Sequence, residues 1–235
     1  MKRSEINRII DESAAFFAAH RFSLPPFCRV APDEWGRRRG ELAEVIGAGL
    51  GWDVTDFDLG DFKRTGIVLV TLRNGGTPAA TAAGKTYCEK IIHVRRDQTC
   101  PMHYHRAKTE DIINRGGGTL CFELYMAVSG AEPGAASDGR SFSPNGFSVW
   151  SDGKSRECRP GEVLRLAAGQ SLTLSPFLFH SFRAEGGDVL VGEVSTVNDD
   201  AADNVFYEGV PRFMSIEEDE APRYLLVHEV VRFLE

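Results

Sequence analysis

The 235-residue sequence has no apolar run approaching the ~18 residues that a membrane-spanning helix requires. It also lacks a secretory pattern at its start. Met1-Lys2-Arg3-Ser4-Glu5 runs directly into Asn7, Arg8, Asp11 and Glu12, where an apolar segment would be needed. None of its five cysteines forms a C-x-x-C pair. Neither a zinc ribbon nor a disulfide framework is expected, and reduced thiols in a cytoplasmic setting are. Basic charge is short, with 27 Lys and Arg against 34 Asp and Glu, a formal charge of −7. That balance argues against the basic stripe of a nucleic-acid binder. There is no Walker loop, dinucleotide fingerprint or Ser/His/Asp order, and Gly116-Gly117-Gly118 precedes a strand rather than opening a phosphate-binding helix. The expected partner is a small molecule, with no nucleic acid and no membrane.

What the sequence does hold is enough apolar material for a core, at 42% with 15 Phe, which suits one domain of the larger all-β or α/β kind. Residues 4–20 read as an amphipathic helix, with Ser4 as N-cap and Ile6, Ile9, Ile10, Ala14 and Phe17 on one face. A second helix is expected after Pro32-Asp33, running through Glu41 to Ile46 and ending near residues 47–51. Beyond residue 53, short β-rich runs recur at 66–73, 86–94, 119–128, 147–150, 162–166, 171–174, 189–194 and 224–230. Turns at Gly116-Gly117-Gly118, Pro160-Gly161, Ala168-Gly169 and Gly186-Gly187 separate several of them. The fold class is therefore mainly β, an antiparallel sandwich or barrel, and a doubly wound parallel sheet is disfavoured. Residues 1–55 read as a helical extension packing on the barrel, and residues 56–235 as the barrel itself, with a long Gly- and Pro-rich loop at 129–161. The acidic run Glu217-Glu218-Asp219-Glu220 reads as solvated surface.

The chemistry concentrates in Pro101-Met102-His103-Tyr104-His105-Arg106-Ala107-Lys108-Thr109-Glu110. Residues two apart on a strand face one side, so His103 and His105 can aim both imidazoles at one point. Glu110 can return across a short turn to the same point, completing a ligand set for Mn, Fe, Ni or Zn. A fourth ligand must come from His20, His93, His180 or His228. His93 can face either way on its strand. A lone His such as His180, among phenylalanines, is more often a satisfied core residue, and only its pairing with the His-x-His and Glu favours a ligand.

His103, His105, Glu110 and Gly117 resemble the first cupin motif, and Gly169, Pro176 and His180 the second. Asp97 and Phe177 stand where glycines are common, and Ala184 where an Asn is usual. Tyr87-Cys88-Glu89-Lys90, the His103-Tyr104-His105 segment, Glu110-Asp111 and the stretch from Gly192-Glu193-Val194-Ser195 to Asn204 together resemble the D-lyxose isomerase family, over nearly the whole chain. The resemblance implies a cupin fold, a double-stranded β-helix or jelly-roll barrel. It implies a manganese-dependent aldose–ketose isomerase that converts D-lyxose to D-xylulose and D-mannose to D-fructose through an enediol, with Co, Fe or Zn as other possible ions. It further implies His103, His105, Glu110 and His180 as metal ligands, Lys90, Glu193 and Asp203 as polar residues that carry proton transfer around the sugar, and a homodimer. Glu110 would touch both metal and sugar, and Arg212 with Phe206 and Tyr207 would line the mouth.

The residues leave alternatives open. Glu193 interrupts the apolar run Val189-Leu190-Val191-Gly192, and burying a carboxylate costs several kcal/mol unless it is paired, yet alternation can also point it to solvent. Lys90, taken alone, reads as solvated surface. The same ligand set serves an iron-dependent dioxygenase or a non-catalytic sugar-binding cupin. A dioxygenase wants an apolar pocket with little proton-transfer equipment, so the facing of Lys90, Glu193 and Asp203 discriminates.

Overall fold

The computed structural model describes residues 1–77, 84–128, 141–200 and 202–234. Its centre is one wrapped antiparallel sheet. Strands β1 (Gly51–Thr55), β2 (Ile67–Asn74), β3 (Tyr87–Val94), β4 (Thr99–His105) and β5 (Glu110–Met126) come first. Then follow β6 (Phe147–Ser151), β7 (Lys154–Cys158), β8 (Glu162–Leu166), β9 (Ser171–Leu174), β10 (Leu178–Thr196) and β11 (Asn204–Phe206). The order is β1-β2-β3-β10-β5-β9-β6-β7, with β4 between β10 and β11 and β8 against β5. Strands β5 and β10 pair from Leu178↔Met126 to Ser195↔Glu110 and form the spine.

The glycine runs expected as turns lie inside this spine, as bends in β5 and β10. Gly117 has φ +98, and a Cβ there would sit 2.1 Å from the Asp188 carbonyl oxygen, so only glycine lets the two strands approach so closely. The loop expected at 129–161 contains the β6–β7 hairpin from residue 147 onward, while residues 129–140 lie outside those described.

The α-helix α1 (Arg3–Ala19) lays Ile6, Ile9, Ile10 and Phe17 against Trp52, Val54, Val68 and Val70 on the outer face of β1 and β2. Strand β2 is thus buried on both faces, with Leu69 turned into the barrel core and Val68 and Val70 towards the helix. Ser4 is not the N-cap. That position is Lys2, and Asp219 accepts from the Ser4 N–H and hydroxyl instead, at 2.8 and 2.7 Å. The acidic run is therefore a tie to the first turn of α1 rather than free surface, with Glu218 on Arg3 and Glu220 on Asn7. The second helix is broken into α2 (Glu34–Arg37) and α3 (Ala43–Gly47), as Gly36 and Gly40 weaken it. Residues 224–230 form no strand. They touch β1 through one bridge, Trp52↔Leu226, and turn into the 3₁₀ segment Val230–Phe233. Among the described residues no helix is long and apolar enough to cross a membrane.

Asp97 and Phe177, standing where the cupin motifs favour glycine, have φ +61 and +63. The left-handed backbone that glycine would adopt is kept although the residue is not glycine.

Candidate metal centre and the charged cavity beside it

Strand register assembles the site. On β4, His103 and His105 share a face, and His180 on β10 pairs directly with His103. Their ligand atoms lie within 4.8 Å of one another, and all three residues are buried. Glu110, the first residue of β5, brings Oε1 to 3.3 Å from His105 Nε2 and 3.4 Å from His180 Nε2.

The nitrogens are prepared for a cation. Nδ1 of His103 meets the Pro101 carbonyl at 2.8 Å and Nδ1 of His180 meets the Leu178 carbonyl at 2.9 Å. A carbonyl only accepts, so each Nδ1 carries the proton and each Nε2 a lone pair. Nε2 of His180 is buried with no hydrogen-bond partner, a costly arrangement that a metal ion would relieve. Burial, reinforced for His103 by the imidazoles of His180 and His105, holds His103 well below the usual histidine range. Burial brings His180 down to about 4, against the pull of the Glu110 carboxylate and with smaller help from His105 and Lys108. Burial alone would push Glu110 up, but Lys108 and then His105 and His180 outweigh it and hold this carboxyl well below its ordinary value. Neutral imidazoles beside an anionic carboxylate fit a divalent cation.

From Glu110 a chain of alternating charge crosses the cavity. Glu110 Oε2 lies 2.7 Å from Lys108 Nζ, which donates to Glu193 Oε1 at 2.9 Å. Glu193 Oε1 lies 3.3 Å from Lys90 Nζ, which is 3.6 Å from Asp200 Oδ1. Asp200 Oδ2 lies 3.4 Å from Arg212 Nη2, and Arg212 donates to Asp53 Oδ2 at 2.5 Å. Desolvation opposes the charge on Lys108, yet Glu110, Glu193 and Asp200 outweigh it and hold its ammonium above the ordinary lysine range. Apolar residues, Leu69, Ile92, Ile112 and Phe182, complete the lining.

Alternation fixes the facing that the sequence left open. Glu193 shares parity with the core residues Val189 and Val191 on β10, and the register pairs it with Lys90, so both turn inward. His93, one position further along the chain than Ile92, turns outward to Ser13 of α1 and to Asp188, at 3.0 Å each. Arg212 lines the cavity. Asp203 does not line it. Its carboxylate is taken up by the Ala107 and Lys108 N–H groups at 2.7 and 3.2 Å, and stands 3.6 Å from His105 Nδ1. Asp200, three residues earlier, lines the cavity in its stead.

Lys108, Asp200 and Asp53 were not singled out by the sequence. Lys108 sits in a polar loop, where a lysine defaults to solvent, although its place two residues before Glu110 was a usable signal. Asp53 interrupts Trp52 and Val54 as Glu193 interrupts its own strand, and that signal was equally available.

Fold and site together define a cupin whose mouth is equipped for a metal ion. Solved structures agree on the fold. A Cellulomonas parahominis L-ribose isomerase with L-ribose is 21% identical, with a TM-score of 0.55 over 92% of this chain and 98% of that one. An Acinetobacter sp. DL28 L-ribose isomerase mutant in complex with L-ribose is 20% identical, with a TM-score of 0.53 over 89% and 94%. The sequence relationship is narrower. The family model described as D-lyxose isomerase matches residues 1–230. A D-lyxose/D-mannose isomerase of Serratia proteamaculans is 46% identical across 100% of both chains. One of Escherichia coli O157:H7 is 45% identical across 99% of this chain and 100% of its own. The chain belongs to the D-lyxose isomerase family.

Proposed function

We propose that this protein is a metal-dependent aldose–ketose isomerase of free sugars, interconverting D-lyxose with D-xylulose and D-mannose with D-fructose. The observation that carries the reading is the buried sequence Glu110–Lys108–Glu193–Lys90 beside three imidazoles. An oxygenase acting on an apolar substrate would have no use for that proton-transfer equipment, whereas moving a hydrogen between C2 and C1 requires it.

His103, His105, His180 and Glu110 would hold the ion, and manganese suits this mixed nitrogen–oxygen set, with Co, Fe or Zn as substitutes. When bound, such an ion supplies positive charge to two vicinal sugar oxygens and so stabilises negative charge as it develops on them. Glu193 takes the proton from C2 of the aldose and returns it to C1 while the O2 hydroxyl proton passes to O1, with the Glu193 Oε1 between the Lys108 and Lys90 ammonium groups. Lys108 stays charged between its carboxylates, so it serves as an electrostatic partner of the enediolate and not as a base. Lys90 and Arg212 donate to sugar hydroxyls. Asp203 acts through the backbone, fixing the 106–108 turn that joins His105 to Glu110. A 1–55 extension, whose last five residues join the sheet as β1, on a 56–235 barrel, a homodimer and a cytoplasmic setting complete the reading, the last supported by five cysteines that are all buried free thiols.

The test is direct. D-Lyxose with the Mn²⁺-loaded protein should give D-xylulose, activity should vanish on chelation and return with the ion, and scattering should report a dimer mass. No conversion of D-lyxose or D-mannose, with oxygen uptake by an iron-loaded sample on an aromatic substrate, would replace this reading by the dioxygenase.

A further inference from the structure

The cavity beside the metal centre has a volume of ≈ 40 Å³, room for about three water molecules and too little for a pentose. Asp200 completes its wall. This residue belongs to the segment that follows β10, yet its side chain is only 17% exposed. On the far side of Asp200 and Asn198 lies a second cavity of ≈ 420 Å³, bounded also by Asn74, Phe213 and His228, a size common for small-molecule sites. Asp200 lines both cavities. Asn198 lines the outer one and accepts from Lys90 at 2.9 Å and Lys108 at 3.4 Å in the inner one.

The side-chain contacts of Asp200 are long, although Lys90, Arg212 and Lys108 all favour its charged form. Lys90 at 3.6 Å, Arg212 at 3.4 Å and Asn204 at 3.3 Å all lie beyond the ~2.7–2.9 Å of a strong charge-assisted hydrogen bond. Its hydrogen bond with Asn198 and the 2.9 Å bond from Asn204 to its backbone carbonyl stay within the segment that follows β10. Arg212 has a tighter contact of its own with Asp53. A carboxylate leaving the inner cavity passes into the larger outer one and regains water, which offsets the lost ion pairs.

We propose that Asp200 is a displaceable plug: its carboxylate occupies, in the sugar-free protein, the place on Lys90 that a substrate hydroxyl takes, and the sugar reaches the metal centre from the outer cavity by pushing it aside. The inference rests on the isomerase reading for the identity of the sugar, and on geometry for the plug itself.

Two readouts on the metal-loaded full chain test it, each with Asp200→Ala and with the nearly isosteric Asp200→Asn as a guard against misfolding. Calorimetric titration with the pentitol made by reducing D-lyxose, which lacks a carbonyl and cannot turn over, should show at least tenfold tighter binding to both variants than to the parent, with a matching fall in KM for D-lyxose. Hydrogen exchange without sugar should show the Asn198 and Asp203 amides, which donate to Asn74 and to the Asp199 carbonyl, exchanging at least tenfold faster. Unchanged exchange overturns the plug, and unchanged or weaker pentitol binding does so too by making Asp200 a bystander or a sugar ligand. Faster exchange in a protein whose parent form isomerises no aldose would overturn the functional reading and leave the plug standing.

Discussion

Arg3 and Arg212 are both buried guanidinium groups held between two carboxylates, one at the clasp of α1 and one in the cavity wall. Arg3 donates to Glu218 through Nε and Nη2 and to Glu229 through Nη1 and Nη2, and Glu229 in turn accepts from the Leu226 N–H. Arg212 holds Asp53 tightly and Asp200 loosely, and its Nη1 has no partner, as is true of Asp53 Oδ1. Both arginines are raised above their ordinary value, by carboxylates that outweigh burial. The difference lies in saturation. At Arg3 the hydrogen-bonding capacity is used up. At Arg212, which borders the cavity, capacity is left over for a ligand, as it is at His180 Nε2.

If unspent capacity marks the working end, the largest effect belongs to Glu193→Gln. Its kcat should fall by about 10²–10⁴ while bound manganese, measured by elemental analysis, stays stoichiometric. Near-normal turnover would remove Glu193 from proton transfer. At the saturated end, Arg3→Met should cost about 3–5 kcal/mol in urea unfolding, because Glu229 is left buried and uncompensated, with kcat unchanged per folded molecule. Arg212→Met should cost a similar amount, because Asp53 is left buried and uncompensated, but unlike Arg3→Met it should raise KM for D-lyxose. Equal kinetics for the two arginine variants would erase the distinction.

A third comparison uses pH. His93, His103, His180 and His228 are all lowered from 6.5, burial being the first cause in each. Their folded values lie below their unfolded ones, so below pH 6.5 the unfolded chain binds more protons. Stability of the metal-free protein should therefore be full above that pH and fall between 6.5 and about 4, by up to ~1.4 kcal/mol per pH unit for each imidazole titrating. Added manganese should flatten the fall, because it competes with protons for two of these residues but not for His93 or His228. A flat urea midpoint over that range would contradict the assignment. The smallest effect is that of Asp97→Gly, which relieves a left-handed φ of +61 and should raise stability by less than ~1 kcal/mol.

Much of the candidate metal centre was legible because the period of a strand is two. His103 and His105 could be placed on one face without a structure, and Glu110 and His180 followed from spacing and resemblance. The facing of Lys90 and Glu193 was not legible, since it depends on the β3–β10 register, which no local pattern encodes. Asp203 and Asp200 show the same limit within one segment. Both are acids after the same strand, and only the capture of Asp203 by two backbone N–H groups decides which one reaches the cavity. The helix α1 was legible from its apolar face, whereas its cap was not, because Asp219 lies 215 residues away. The apolar run at 224–230 misled for a related reason. Leu226 packs beside Trp52, and Leu225 and Val230 pack on Val30, Trp35 and Leu42, so burial comes without pairing as a strand.

The Arg3–Glu229 contact joins positions 226 residues apart. At synthesis rates of about 5–20 residues per second, the interval between their emergence is roughly 10–45 s. Throughout that interval the first turn of α1 waits for a fastening segment that has not yet been made, although β1 and β2 are already there to receive its isoleucine face. The clasp is thus a checkpoint of completeness: a product truncated before residue 217 keeps those strand partners but loses every tie from the acidic run to α1.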